Sequence, residues 1–161
     1  MPPVLTCLLG KRLCEDPEKE DHWSLRDRCA GMAADLCRKF GNTYATLIPR
    51  VTKTMAKTFL DPSKPLPSHY GAIVGLFALG PHSVETLILP YLETYLVALQ
   101  HPKASTGEGE GEDKDTSTPA EISKCRMALK NAASKWITEA YLEGTEAHEI
   151  KRESIRRAFN I

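Results

Sequence analysis

From Asp21 onward, apolar side chains recur at helical rather than strand spacing. Trp23, Cys29, Ala30, Ala33, Leu36, Cys37 and Phe40 fall at steps of three, four or near multiples, with Arg26, Asp27, Asp35, Arg38 and Lys39 mostly between them. The pattern predicts an amphipathic helix ending at Gly41-Asn42, a pair suited to a helix C-terminus. A second helix is expected from Thr43, with Tyr44, Leu47, Val51, Met55 and Phe59 on one stripe, stopping before Asp61-Pro62. A third begins near Ser68, carries Tyr70, Ile73, Val74, Phe77 and Ala78, and is stopped by Gly80-Pro81. A fourth runs from about His82 through Val84, Leu87, Ile88, Tyr91, Tyr95 and Leu99. Further on, Thr118 suits an N-cap and Pro119 a first helical turn. The stripe that follows is Ile122, Cys125, Leu129, Ala132, Ala133, Trp136, Ile137, Ala140 and Tyr141, ended by Gly144. A weakly apolar amphipathic piece, Glu146 to Phe159, closes the chain. No run alternates in the manner of a strand, so the class is all-α.

The helices also repeat. Pro3, Pro49 and Pro90 each precede an apolar run, at intervals of 46 and 41 residues, and His22-Trp23 and His69-Tyr70 open helices 47 residues apart. A helix pair recurring at that period is the mark of HEAT and armadillo arrays, in which a pair cannot hide its apolar face alone and stacks on its neighbours. The expected architecture is a HEAT-like, right-handed α-solenoid of antiparallel helix pairs. Pro49 and Pro90 fall within helical patterns, where a proline removes a backbone bond and bends the helix. Residues 1–13 read as the second helix of a pair whose first is missing, which suggests a piece of a longer protein.

Residues 103–118 differ in kind: one alanine as the lone apolar residue, three glycines, and five acids against two lysines. Such a segment cannot bury enough surface to offset the entropy of ordering. The expected division is therefore 1–101 as HEAT-like repeats, 102–118 as an acidic disordered loop, and 119–161 as a helix completing the stack with a basic tail.

Composition narrows the function classes. Lys+Arg and Asp+Glu are both 21, so no global field steers the chain onto nucleic acid or an anionic membrane. No stretch approaches the roughly 18 apolar residues that a spanning helix needs. The five cysteines, Cys7, Cys14, Cys29, Cys37 and Cys125, show no CxxC and no zinc-finger spacing, and most sit on apolar stripes. They read as reduced core residues.

Chemistry has little to rest on. The five histidines are scattered, and no phosphate-loop, dinucleotide, nucleophile-elbow or zinc-protease motif is present. Cys29 lies within two helical turns of His22, but on the apolar side, where burial makes a thiol inert. Gly71, Gly75 and Gly80 are spaced for close helix packing rather than as a phosphate cradle. No catalytic residue, metal ligand or cofactor is expected. Arg50, Lys53 and Lys57, with Lys64 at the exit, are expected along one face of the second helix, and Lys151, Arg152, Arg156 and Arg157 cluster near the end. A basic stripe without interleaved aromatics suits a protein contact better than nucleic-acid recognition. A weak DNA contact stays open as an alternative.

Five short runs carry a resemblance. His22-Trp23-Ser24-Leu25-Arg26, Arg50-Val51-Thr52-Lys53-Thr54, His69-Tyr70-Gly71-Ala72-Ile73-Val74-Gly75-Leu76, Leu79-Gly80 and Leu87-Ile88-Leu89-Pro90 occur in the order found in one domain family. The chain thereby resembles the C-terminal HEAT-repeat domain of TAF subunit six, a subunit of TFIID and, in some lineages, of the SAGA coactivator. The resemblance covers about residues 1–100. It implies a nuclear, non-catalytic scaffold in RNA polymerase II initiation, with other TAF or SAGA subunits as partners and self-association among its contacts. It implies no small-molecule substrate. Trp23, Tyr70, Gly71, Gly75 and Pro90 are the expected structural positions; Arg26, Arg50, Lys53 and Lys57 are the expected partner surface. A HEAT adaptor outside transcription is the rival reading.

Overall fold

The computed structural model describes residues 1–15, 20–100, 118–143 and 146–159. The expected acidic loop lies outside them except for Thr118, as do Asp16, Glu18, His101 and Gly144. Among the described residues there are helices and turns and no strand. α1 spans Pro2–Leu9, α2 His22–Phe40, α3 Leu47–Leu60, α4 Leu66–Ala78, α5 Pro81–Ser83, α6 Leu92–Gln100, α7 Pro119–Glu143 and α8 Glu146–Phe159. No described helix is long and apolar enough to cross a membrane.

Local chemistry fixes the ends. Asp21 caps α2, its Oδ1 accepting from Trp23 N and Ser24 N at 3.1 Å each. The Ser24 contacts hold its carboxyl below the usual range, as expected of an acid at the positive end of a helix. Thr118 and Glu121 form a reciprocal box ahead of α7: Thr118 N donates to Glu121 Oε2 and Glu121 N to Thr118 Oγ1. A box of this kind stabilises a helix start by about 1 kcal/mol. Gly80, at φ 115°, turns the chain from α4 into α5 through backbone space that side chains avoid.

Two proline expectations resolve differently. α3 starts at Leu47, not Thr43, so Pro49 lies in its first turn, where its missing N–H has no intrahelical acceptor to lose, and the helix runs on to Leu60. Tyr44, expected on the α3 stripe, stands in the preceding turn and is exposed. Pro90 does change the helix. The chain widens to a π-helical turn over Val84–Ile88, closed by Leu89 N to Val84 O, then tightens to a 3-10 turn over Leu89–Tyr91 before resuming as α6. A proline cannot donate to the carbonyl four residues back, so the regular ladder cannot run through it.

α4 is the centre of the packing, set against α1, α2, α3 and α7. Nine of its thirteen residues are buried, from Pro67 to Leu76. Small residues of α2 (Cys29, Ala30, Ala33, Ala34 and Cys37) let it lie close to α4. On the other side α7 supplies Cys125, Ala128, Leu129, Ala132, Ala133 and Trp136. α3 contributes Val51, Met55 and Phe59, and Phe59 stacks on Tyr95 of α6 at 4.9 Å. α3 lies chiefly against α4 rather than α2, so the tight antiparallel pair is formed across the Asp61–Pro65 connection. α8 closes onto α6 and α7 through Ile155.

Candidate interaction surface

The two groups of expected site residues separate. Trp23 is half-buried, with its ring edge-on to Tyr70 at 4.8 Å and tilted on His22 at 4.2 Å. Lys124 Nζ lies 5.9 Å from the Trp23 ring centroid. Tyr70 is buried and donates its hydroxyl to Asp27 Oδ1 at 2.8 Å. Burial and that carboxylate push the Tyr70 phenol above its ordinary value. Gly71 and Gly75 face α1 and α3: a Cβ on Gly71 would meet the Leu8 backbone, and one on Gly75 would lie 2.9 Å from Met55 Sδ and Cε. Pro90 is exposed at the distorted end of the π turn.

Arg26 is not on the surface. Expected with the partner-facing cations, it is 1% exposed. Its Nη1 donates to Leu8 O and its Nη2 to Gly10 O, both at 2.8 Å, and its Nε to His22 Nδ1 at 3.4 Å. The acceptors are a carbonyl in the last turn of α1, its negative end, and that of Gly10 just beyond it, and they offset part of the cost of burying a cation. Burial lowers its pKa to about 10. The signal for this was present: His22, Arg26, Cys29, Ala33 and Cys37 form one i, i+4, i+7, i+11, i+15 stripe, which places Arg26 on the inner face of α2.

Arg50, Lys53 and Lys57 are exposed on α3, opposite its buried Val51, Met55 and Phe59. The terminal cations differ from them. Lys151 pairs with Glu85 of the π turn, Arg152 with Glu149, and Arg156 and Arg157 with Glu153. Two grooves open on the surface. The larger, ≈ 690 Å³, runs between α2, α4 and α7 over Val74, Phe77 and Ala78, with charges of both signs around it. The smaller, ≈ 470 Å³, lies between α1 and α3 and carries Thr6, Thr54, Thr58, Ser63, Lys11 and Lys64. Sequence reasoning misses it, because the residues that α1 and α3 give to its walls lie more than forty positions apart.

Cys29, Cys37, Cys125, His22 and His69 are buried, whereas Cys7 and Cys14 are half-buried and His82 is exposed. Burial raises the Cys29 and Cys37 thiols and pushes Cys125 up to about 12. Burial also lowers His22 and His69. His69 Nε2 lies 3.1 Å from Asp61 O, which makes Nε2 the protonated nitrogen. Among the described residues no group of three or more histidines, cysteines and acids is placed to hold a metal.

Residues 1–93 match the family model described as the TAF6 C-terminal HEAT repeat domain. The Taf6 subunit of the SAGA and TFIID complexes of Schizosaccharomyces pombe is 41% identical over 132 residues, 82% of this chain and 27% of that protein. That match is longer than everything preceding α7, so it extends into α7. Transcription initiation factor TFIID subunit 6b of Arabidopsis thaliana is 48% identical over 99 residues, 62% of this chain and 19% of that protein. The TAF6-like p300/CBP-associated factor-associated factor 65 kDa subunit 6L of Mus musculus is 38% identical over 97 residues, 60% of this chain and 16% of that protein. The chain thus corresponds to about a quarter or less of the length of these relatives.

Proposed function

The chain belongs to the TAF6 C-terminal HEAT repeat family, and on that premise we propose that it is a non-catalytic protein–protein scaffold of RNA polymerase II initiation, within TFIID or SAGA. The observation that carries the reading is the family match over residues 1–93 together with relatives named as subunits of those complexes. The geometry is compatible with it: the titratable core residues are buried, and what the molecule offers outward is helix faces and shallow grooves. The partners are other TAF subunits or SAGA subunits, the location is the nucleus, and the exposed Arg50, Lys53 and Lys57 of α3 form the contact face. Self-association and a weak DNA contact are subsidiary to that face.

Affinity purification of the tagged full-length protein from nuclear extract, followed by mass spectrometry, tests the reading. Recovery of TAFs with TATA-binding protein supports a TFIID scaffold. Recovery of TAFs with SAGA subunits but without TATA-binding protein supports a SAGA scaffold. Recovery of neither set overturns it.

A further inference from the structure

The smaller groove has a lining with a preferred chemistry. Around α3, at 100° per residue, the buried Val51, Met55 and Phe59 come first, Thr54 and Thr58 next, and Arg50, Lys57 and Lys53 last. The threonines line the groove with α1, and the cations follow them around α3 on its exposed side, outside the lining. Lys64, and Lys11 just beyond the C-terminus of α1, lie in the groove itself. The carboxylate of Asp61, just past the end of α3, is turned onto Ser63, accepting from its N at 3.0 Å and its Oγ at 2.6 Å. Among the described residues the lining carries lysines and no carboxylate, unlike that of the larger groove.

The hydroxyls are oriented too. Thr6 Oγ1 donates to Pro2 O at 3.0 Å, Thr54 Oγ1 to Arg50 O at 2.8 Å and Thr58 Oγ1 to Thr54 O at 3.1 Å. Each hydroxyl has one proton, now committed, and lone pairs that remain available. The groove thus presents acceptors inside and cations outside, over the apolar Leu5, Leu9 and Pro65. A phosphate backbone brings acceptors alone and finds no donors among these hydroxyls. A peptide brings N–H donors for them, and acidic side chains for the lysines.

We infer that the groove between α1 and α3 docks an extended acidic segment of a partner protein, with main-chain N–H groups on Thr54 and Thr58 and carboxylates on Lys53, Lys57 and Lys64. The segment alternates, as extended chains do, so that every second side chain reaches Leu5, Leu9 and Pro65 while the others meet the cations. This rests on the reading of the α3 cations as a partner surface.

The test is fluorescence anisotropy on the 161-residue chain with two probes: a labelled dodecapeptide of alternating glutamate and leucine, and a labelled thymidine oligonucleotide of equal net charge. One variant is Lys53→Glu with Lys57→Glu. The other is Thr54→Val with Thr58→Val, which keeps shape and charge and removes the acceptors, and circular dichroism confirms that both fold. The charge reversal should weaken peptide binding by at least about tenfold. The valine variant should weaken it by about tenfold as well, and leave the weaker oligonucleotide binding unchanged. If the valine variant binds the peptide like the parent while charge reversal abolishes binding, the groove assignment falls and the cationic surface stands. If the oligonucleotide binds more tightly than the peptide, a nucleic acid is the occupant and the inference is overturned. If neither variant changes peptide binding, the inference fails; the reading of the α3 surface itself falls only if neutralising the cations also leaves assembly in nuclear extract unchanged.

Discussion

The carbonyl group of Leu8 occupies the space that a side chain on Gly71 would need. A Cβ there would fall far inside contact distance of the Leu8 oxygen and 2.9 Å from its carbonyl carbon. Both are backbone atoms, and Arg26 Nη1, which donates to the same oxygen at 2.8 Å, would itself lie 3.5 Å from that Cβ. Gly71→Ala gains about 1 kcal/mol of helix propensity. It must also displace α1, and overpacking of this kind costs about 1–3 kcal/mol or more. The clash wins, so the melting temperature of the variant should fall by several degrees. Gly75→Ala meets only the ends of Met55 and Leu8, which can move, and should leave the melting temperature nearly unchanged. Equal losses at both positions would contradict this account.

Arg26 ties α1 to α2 through two carbonyls at once. Arg26→Met leaves Leu8 O and Gly10 O without their donors and should destabilise the fold by about 1–3 kcal/mol. Arg26→Lys keeps the charge without the planar fork and should recover part of the loss. Urea unfolding of both variants, with hydrogen exchange in residues 2–10, would show whether the loss is centred on α1.

Acid should weaken the fold through His69. Its folded pKa lies below the ordinary 6.5, chiefly because burial disfavours the cation, although the carbonyls of Asp61 and Lys64 pull the other way. Below 6.5 the unfolded chain takes up a proton that the folded chain refuses, so stability falls as pH drops from 6.5 toward the folded value. The slope cannot exceed about 1.4 kcal/mol per pH unit for one group. Thermal melts across this window should be steeper for the parent than for His69→Gln. Parallel curves would assign the acid sensitivity elsewhere.

Replacing Arg50, Lys53 and Lys57 together with alanine should preserve helicity, since the residues are exposed and alanine is the better helix former. The same protein should recover less of its TAF or SAGA partners in pull-downs. Undiminished recovery would remove these cations from the contact face.

Much of the helical order was legible because periodicity reports burial. The stripes of α2, α3, α4 and α7 reappear as buried Cys29, Val51, Ile73 and Leu129. Helix starts were less legible where side-chain signals competed. Tyr44 extends the α3 stripe by periodicity, but Thr43 N and Tyr44 N both bond to Phe40 O and hold that stretch in a turn. At Arg26 two signals conflict, a charge that suggests the surface and a register that sets it on the inner face of α2, and the register decides. The hydroxyl groove had no sequence signal: nothing local to Thr6 or Thr54 says that α1 and α3 meet there.

The placement of α4 bears on how the molecule comes apart. In an extended repeat array each unit touches only its neighbours, so an end can fray while the rest stands. Here α1, α2, α3 and α7 all lean on one helix whose surface is nearly all interior. Loosening α4 removes the support of all four at once, whereas α8, which rests on α6 and α7, can part without reaching it. α1 to α4 and α7 should therefore come apart together, and a lesion along Pro67–Leu76 should be felt by all of them.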